Sequence, residues 1–232
     1  MAVFDSDSGA FKGAIIGGLI GAMRTGAIGV AVKHMSRPDS KVLGIIGSGF
    51  QAKTQLEAAA SVRQFEAVRV FSRNAEHRQA FARQMGEKLS LSIQPVASAE
   101  EAVSSADVVI CATSSIRPVF KSRWLKPGTH VTTIGPKWKL AHELEMDVAE
   151  RAQVIATDSL AQAEAYRRRA LFRDLPFFLT GTPEMERLVE LSDMVAGNKP
   201  GRTSPEDITL FCSVGLAGTE VVVANEALRR AV

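Results

Sequence analysis

The chain is poor in cysteine, histidine and tyrosine. Its two cysteines, Cys111 and Cys212, stand far apart and outside any Cys-x-x-Cys pair, which excludes a disulfide framework. They read as reduced, partly buried thiols of a cytoplasmic protein. The four histidines, His34, His77, His130 and His142, show no paired ligand spacing, so no metal site is expected. A long hydrophobic run is missing too. Residues 13–32 carry small-residue steps at Gly13, Gly17 and Gly21, but Arg24 and Thr25 interrupt them short of the ~20 apolar residues a membrane span needs. Asp5 and Asp7 stand where a signal peptide would be basic. Charge of one sign is not in large excess: a net +3 suits an acidic ligand and does not require nucleic acid.

What is present is a normal core-forming composition, 46% hydrophobic and 23% charged, enough for one soluble domain with a smaller appendage. The opening AVFDSDSGAFKGAII reads as two short strands turning at Ser6–Gly9, and a hairpin that small is expected to join a larger sheet. Such a sheet would need another chain or sequence upstream of Met1. Residues 19–35 suit one helix, closed by the loop at Ser36, Pro38 and Asp39.

From Lys41 to Asp158 the pattern alternates. VLGII, AVRVFS, LSIQPV, DVVICATSS, HVTTIG and QVIATD read as strands, with helices between the first four, the third capped by Ser98 and Glu101. That alternation predicts an α/β fold, a Rossmann-type doubly wound parallel sheet. Beyond it, LAQAEAYRRRALF, PEMERLVELSDMVAG and the stretch from Ser204 to the end are each expected to be helical. Residues 1–40 and 204–232 are then a small lobe beside a dinucleotide-binding unit at 41–203.

Gly47-x-Gly49-x-x-Ala52 follows a strand and opens a helix, the context that makes a dinucleotide fingerprint usable. Gly47 permits the tight turn, Gly49 the close approach of a pyrophosphate, and the helix N-terminus offers amide donors. At the end of the second strand an NAD enzyme places an acid on the ribose; here stand Ser72, Arg73 and Asn74. They suit a 2′-phosphate, so NADP(H) is favoured over NAD(H), against the alternative that Arg73 is a solvated loop residue and either cofactor is accepted. Thr113, Ser114 and Ser115 end a strand on the ligand-binding edge, or merely begin a polar loop. The run Arg167–Arg169 lacks interleaved aromatics and reads as a solvated face.

AMRTGA (22–27), VLGIIGSGFQA, VFSRN, ATSS, WLKPGTHVTTIG (124–135), HEL (142–144), ATDS (156–159), GNKPGR (197–202) and ITLFCSVGLA (208–217) together resemble the ornithine cyclodeaminase and mu-crystallin family of NAD(P)-dependent enzymes. The resemblance implies Arg24 on the substrate carboxylate, Thr25 near the cofactor phosphates, and Phe50 and Gln51 along the pyrophosphate. It implies Ser72, Arg73 and Asn74 at the adenosine ribose, Thr113 and Ser114 in a strand-end loop, Ile134 and Gly135 at the nicotinamide edge, and Ser213 as a closing contact. It also implies a homodimer. Where ornithine-deaminating members carry an aspartate, this chain has Lys137, which could bind a carboxylate, shuttle a proton or point into solvent. The family's N-terminal segment, with a lysine and a further arginine, does not precede Met1.

The expected chemistry is hydride transfer between NADP(H) and the carbon–nitrogen bond of an α-amino or α-imino acid, or cyclodeamination. The alternatives are a non-catalytic NADP-binding protein and a truncated, inactive family member. Arg24, a guanidinium in an otherwise apolar helix, needs an anionic partner, either a substrate carboxylate or one of the chain's own acids.

Overall fold

The computed structural model describes residues 1–166, 168–170, 173–216 and 218–231. The basic run is therefore only partly in view: Arg167 and the side chains of Arg168 and Arg169 lie outside the described residues. In chain order, β1 (Ala2–Phe4) and β2 (Phe11–Ala14) form an antiparallel hairpin ahead of α1 (Leu19–Ile28) and α2 (Ala31–Met35). There follow β3 (Val42–Ile46), α3 (Phe50–Val62), β4 (Ala67–Phe71), α4 (Ala75–Leu89), β5 (Ile93–Pro95), α5 (Ala99–Val103), β6 (Val108–Cys111) and β7 (His130–Thr133). A second hairpin, β8 (Lys137–Trp138) and β9 (Ala141–His142), leads to α6 (Met146–Arg151), β10 (Val154–Thr157) and α7 (Leu160–Ala165). The chain then runs through β11 (Arg168–Ala170), β12 (Arg173–Leu175), α8 (Pro183–Glu186), β13 (Leu188–Glu190), α9 (Leu191–Val195), β14 (Thr209–Cys212) and α10 (Thr219–Arg230).

Eight of these strands form one parallel sheet in the order β13-β10-β14-β7-β6-β3-β4-β5. Because β3, β4 and β5 run outward in one direction and β6 and β7 return on the other side, the strand order reverses between β3 and β6. Open α/β sheets bind ligands at such a reversal, outside the carboxyl ends of the strands. Strands β6, β7 and β14 are buried at every position, as expected where helices cover both faces. The sequence fits its helices locally: Asn74 caps α4 by accepting from the His77 amide at 2.9 Å, and Ser98 caps α5 by accepting from the Glu101 amide at 3.1 Å.

Several expected elements differ. The stretch after Ser204 is not one helix: Thr209–Cys212 enters the sheet between β10 and β7, so the sheet reaches past residue 203. A strand buried on both faces has no period-2 alternation, and TLFC joined to the following apolar residues mimics a helix. Residues 183–195 hold the edge strand β13 between two short helices, and α7 stops at Ala165 before β11 and β12. The helix expected over 19–35 breaks at Gly29, whose added Cβ would run into Gln55 of α3. The N-terminal hairpin remains a separate two-stranded sheet, packed against α10. Helix α1 packs on both α3 and α10, which joins the flanking elements to the sheet. Among the described residues no helix is long and apolar enough to cross a membrane.

Candidate functional site

A cleft of about 540 Å³ opens at the strand reversal, lined by Gly47, Ser48 and Gly49 on one side and Thr113, Ser114 and Ser115 on the other. Gly47 has φ +111° and lies against the Ala112 carbonyl, so a side chain there is excluded by both backbone conformation and space. A Cβ on Gly49 would meet nothing within 4 Å, leaving the start of α3 open to the cleft. One end of the cleft is walled by Phe71, Ser72, Arg73, Asn74 and His77. Ser72 is fixed there, accepting from Ser48 Oγ at 3.0 Å and donating to the Asn74 carbonyl at 3.0 Å. Arg73 and Asn74 are exposed. Arg78, one turn into α4, reaches back to donate to the Ser72 carbonyl at 2.9 Å, with its guanidinium 5.8 Å from the Phe71 ring centre. Among the described residues no acid lines this end.

Behind the cleft, Glu143 binds together the ends of β6 and β7. Its fully buried carboxylate accepts from the Thr113 amide (3.1 Å) and hydroxyl (2.7 Å), the Thr133 hydroxyl (2.6 Å), and the amides of Ile134 (3.1 Å) and Gly135 (2.6 Å). Gly135 can only be glycine here, since an added Cβ would collide with the Thr113 carbonyl and the Glu143 carboxylate. Lys137 is not in solvent. It is 2% exposed, and its ammonium donates to the carbonyls of Gly135 at 2.5 Å and Thr133 at 3.5 Å. Burial lowers the Lys137 pKa, and the nearby Glu143 carboxylate works in the opposite direction.

At the end of β14, the Asp158 carboxylate accepts from Ser213 Oγ (2.8 Å) and from the amides of Val214 (2.8 Å) and Gly215 (2.9 Å). Over this loop lies Arg24, whose Nη1 is 3.4 Å from where a Cβ on Gly215 would stand. The anionic partner of Arg24 is one of the chain's own acids: its Nε is 2.8 Å from Glu220 Oε1, although the two are not aligned for a hydrogen bond. Thr25 is also engaged internally. Its hydroxyl donates to the Gly21 carbonyl at 2.8 Å, and its carbonyl accepts from Gln55 Nε2 at 2.7 Å. Phe50 is exposed, and the Gln51 side-chain oxygen is buried without a partner.

A sequence profile described as the ornithine cyclodeaminase/mu-crystallin family matches residues 1–231. The chain belongs to that family. A Delta(1)-pyrroline-2-carboxylate reductase from Bacillus cereus is 35% identical over 217 residues, covering 93% of this chain and 66% of the relative. The Delta(1)-pyrroline-2-carboxylate reductase of Thermococcus litoralis, in complex with NADH and L-proline, superposes with a TM-score of 0.86 at 36% identity, covering 99% of this chain and 70% of that one. An archaeal alanine dehydrogenase dimer with bound NAD gives 0.79 at 32% identity, covering 90% and 63%. The chain thus spans about two thirds of the length of these relatives.

Within this family fold, most of the residues expected at a site fall into two groups, while Thr25, Phe50 and Gln51 are not among the residues that line the cleft. Gly47, Gly49, Ser72, Arg73, Asn74, Thr113 and Ser114 line one cleft. Ile134, Gly135, Lys137, Ser213 and Arg24 lie at or over the neighbouring strand ends of β7 and β14. Glu143, Asp158, Arg78 and Glu220 were not singled out from the sequence. Of these, Glu143 and Asp158 sit within the matched HEL and ATDS stretches, which signalled them without revealing their partners.

Proposed function

We propose that the chain binds NADP(H) in the cleft between β3 and β6 and acts as an oxidoreductase at the carbon–nitrogen bond of an α-amino or α-imino acid. The observation that carries this reading is the composition of the cleft. Its glycine turn is open at Gly49, and its far end presents Arg73 with no carboxylate among the described lining residues, while Arg78 donates to the Ser72 carbonyl. In this assignment Gly47, Gly49, Phe50, Gln51 and the first amides of α3 hold the pyrophosphate, and Thr25 lies near the phosphates. Ser72, Arg73 and Asn74 take the adenosine ribose. The absence of an acid favours NADP(H) over NAD(H), although two related structures hold NADH or NAD.

Thr113, Ser114, Ile134 and Gly135 form the nicotinamide edge, closed by Ser213. A dinucleotide held there would donate the hydride to an imino acid or accept it from an amino acid. The chain's own part is to fix the substrate: Arg24 takes its carboxylate, and Lys137 supports the Ile134–Gly135 loop through the Gly135 carbonyl. Replacing Arg24 with Ala is expected to raise the substrate KM at least about tenfold with the fold intact, the loss expected for a charge-assisted contact. An unchanged KM would remove Arg24 from the substrate site.

Two observations favour a second reading, an NADP-binding protein without turnover. Arg24 is already paired with Glu220, and a buried lysine stands at position 137. Nicotinamide absorbance with a panel of cyclic imines and amino acids separates the two readings.

We further propose a cytoplasmic homodimer of amino-acid metabolism. Phe4, Phe11, Ile16 and Leu19 are exposed on the hairpin and the approach to α1, and Val221 and Val222 are exposed on α10. One relative is a dimer. Light scattering that gives the mass of a single chain would contradict the dimer.

A further inference from the structure

Arg24 of α1 and Glu220 of α10 bring a cation and an anion side by side, 2.8 Å apart, at the carboxyl edge of the sheet. Neither is sealed: their side chains are 23% and 32% exposed. Arg24 lies against the loop after β14, its Nη1 3.4 Å from where a Cβ on Gly215 would stand, and Asp158 pins that loop through Ser213, Val214 and Gly215. The Ser213 amide donates to the Thr133 carbonyl at 3.1 Å, so this loop is joined to the strand that leads into Ile134 and Gly135. Arg24 therefore lies at the same strand-end edge as the Ile134–Gly135 loop to which the nicotinamide is assigned.

We infer that Glu220 is a substrate-binding residue that takes the protonated nitrogen of the ligand while Arg24 takes its carboxylate, so that the site selects α-amino and α-iminium acids over carboxylic acids without a charged nitrogen. The inference rests on the assignment of Arg24 to the substrate carboxylate. A ligand carrying both charges on groups attached to one carbon matches the pair: one internal ion pair, misaligned for a hydrogen bond, is exchanged for two contacts with the ligand, and no charge is left alone. A ligand with only a carboxylate would displace Glu220 from Arg24 and leave a half-buried anion without a counter-ion, which discriminates against it. Keto acids and hydroxy acids, which carry a carboxylate and no charged nitrogen, fall in that disfavoured class.

The test is calorimetric binding of L-proline and of tetrahydrofuran-2-carboxylate, its analogue with oxygen for nitrogen, to the full chain saturated with NADP⁺. Native protein is expected to bind proline more tightly. Glu220→Gln is expected to weaken proline at least about tenfold, the loss of one charge-assisted contact, while the oxygen analogue binds as well as before or better. Glu220→Ala should change the ratio in the same direction, and thermal melting shows that each variant is folded. Equal weakening of both ligands would mean that Glu220 only orients Arg24, equal tightening that it only competes for it, and no change that it does not meet the ligand. Each of these outcomes overturns the inference. Arg24→Ala separates the underlying reading: loss of both ligands upholds the carboxylate site, and unaltered binding of both removes that site and this inference with it.

Discussion

The hydroxyls of Thr113 and Thr133, at the ends of two adjacent strands, meet on one carboxylate, that of Glu143, at 2.7 and 2.6 Å. The same carboxylate accepts the amides of both following loops, so Glu143 sets the spacing of the edge to which we assign the nicotinamide. Replacing it with Ala leaves buried donors unpaired and a buried ammonium at Lys137 without its nearby anion. The expected cost is about 3–5 kcal/mol of stability, read from urea unfolding. A loss within about 0.5 kcal/mol, as at an ordinary surface site, would contradict this role.

Arg73 and Arg78 bracket Ser72 at the ribose end of the cleft. Arg73→Ala is expected to weaken NADPH at least about tenfold and to leave NADH nearly unchanged, because only the 2′-phosphate needs the cation. Arg78→Ala should act in the same direction. Fluorescence titration with both nucleotides checks this, and parallel losses for the two would argue against a phosphate site.

Acid is expected to destabilise the fold through His130. Its fully buried ring lies between the hydroxyls of Thr209 (2.8 Å) and Thr132 (3.0 Å), and burial pushes its pKa down to about 3. Below the ordinary histidine value of about 6.5 the unfolded chain takes up a proton that the folded chain refuses. The contribution is thus fully present above that pH and drains away as the pH falls toward 3, by up to about 1.4 kcal/mol per pH unit. In urea midpoints measured from pH 7.5 to pH 5, His130→Gln should show a flatter decline than the native chain. Identical slopes would contradict the account.

Both thiols are buried, and burial pushes Cys212 up to about 12 and Cys111 well above its ordinary value. A thiol reagent at pH 8 should therefore leave the native protein unlabelled and modify both cysteines in denaturant. Rapid labelling of the folded chain would show that the strand ends are open.

The part of the fold that was legible in the sequence is the part governed by local rules. VLGII, GSGFQA and the helix after them read as strand, turn and helix because the glycine turn and the buried run are contiguous, and β3, Gly47 and α3 stand there. Strand β14 was not legible: its partners are His130–Thr133 and Val154–Thr157, far away in sequence, and nothing local marks a strand buried on both faces. The same limit hid the polar contacts. Arg78 reaches Ser72 only because Asn74 starts α4 and a helical side chain points back toward the N-terminus. Glu220 meets Arg24 only because α10 packs on α1, so the need of Arg24 for an anion was visible while the identity of that anion was not.

The measurement that bears most directly on the central claim is a calorimetric titration of the full chain with NADPH and with NADH, followed in the same cell by cyclic imines watched at the nicotinamide absorbance. The account predicts saturable NADPH binding, tighter than NADH, with oxidation of NADPH by at least one cyclic imino acid. Binding of neither nucleotide would contradict the assignment of the cleft from which the rest of the site is built.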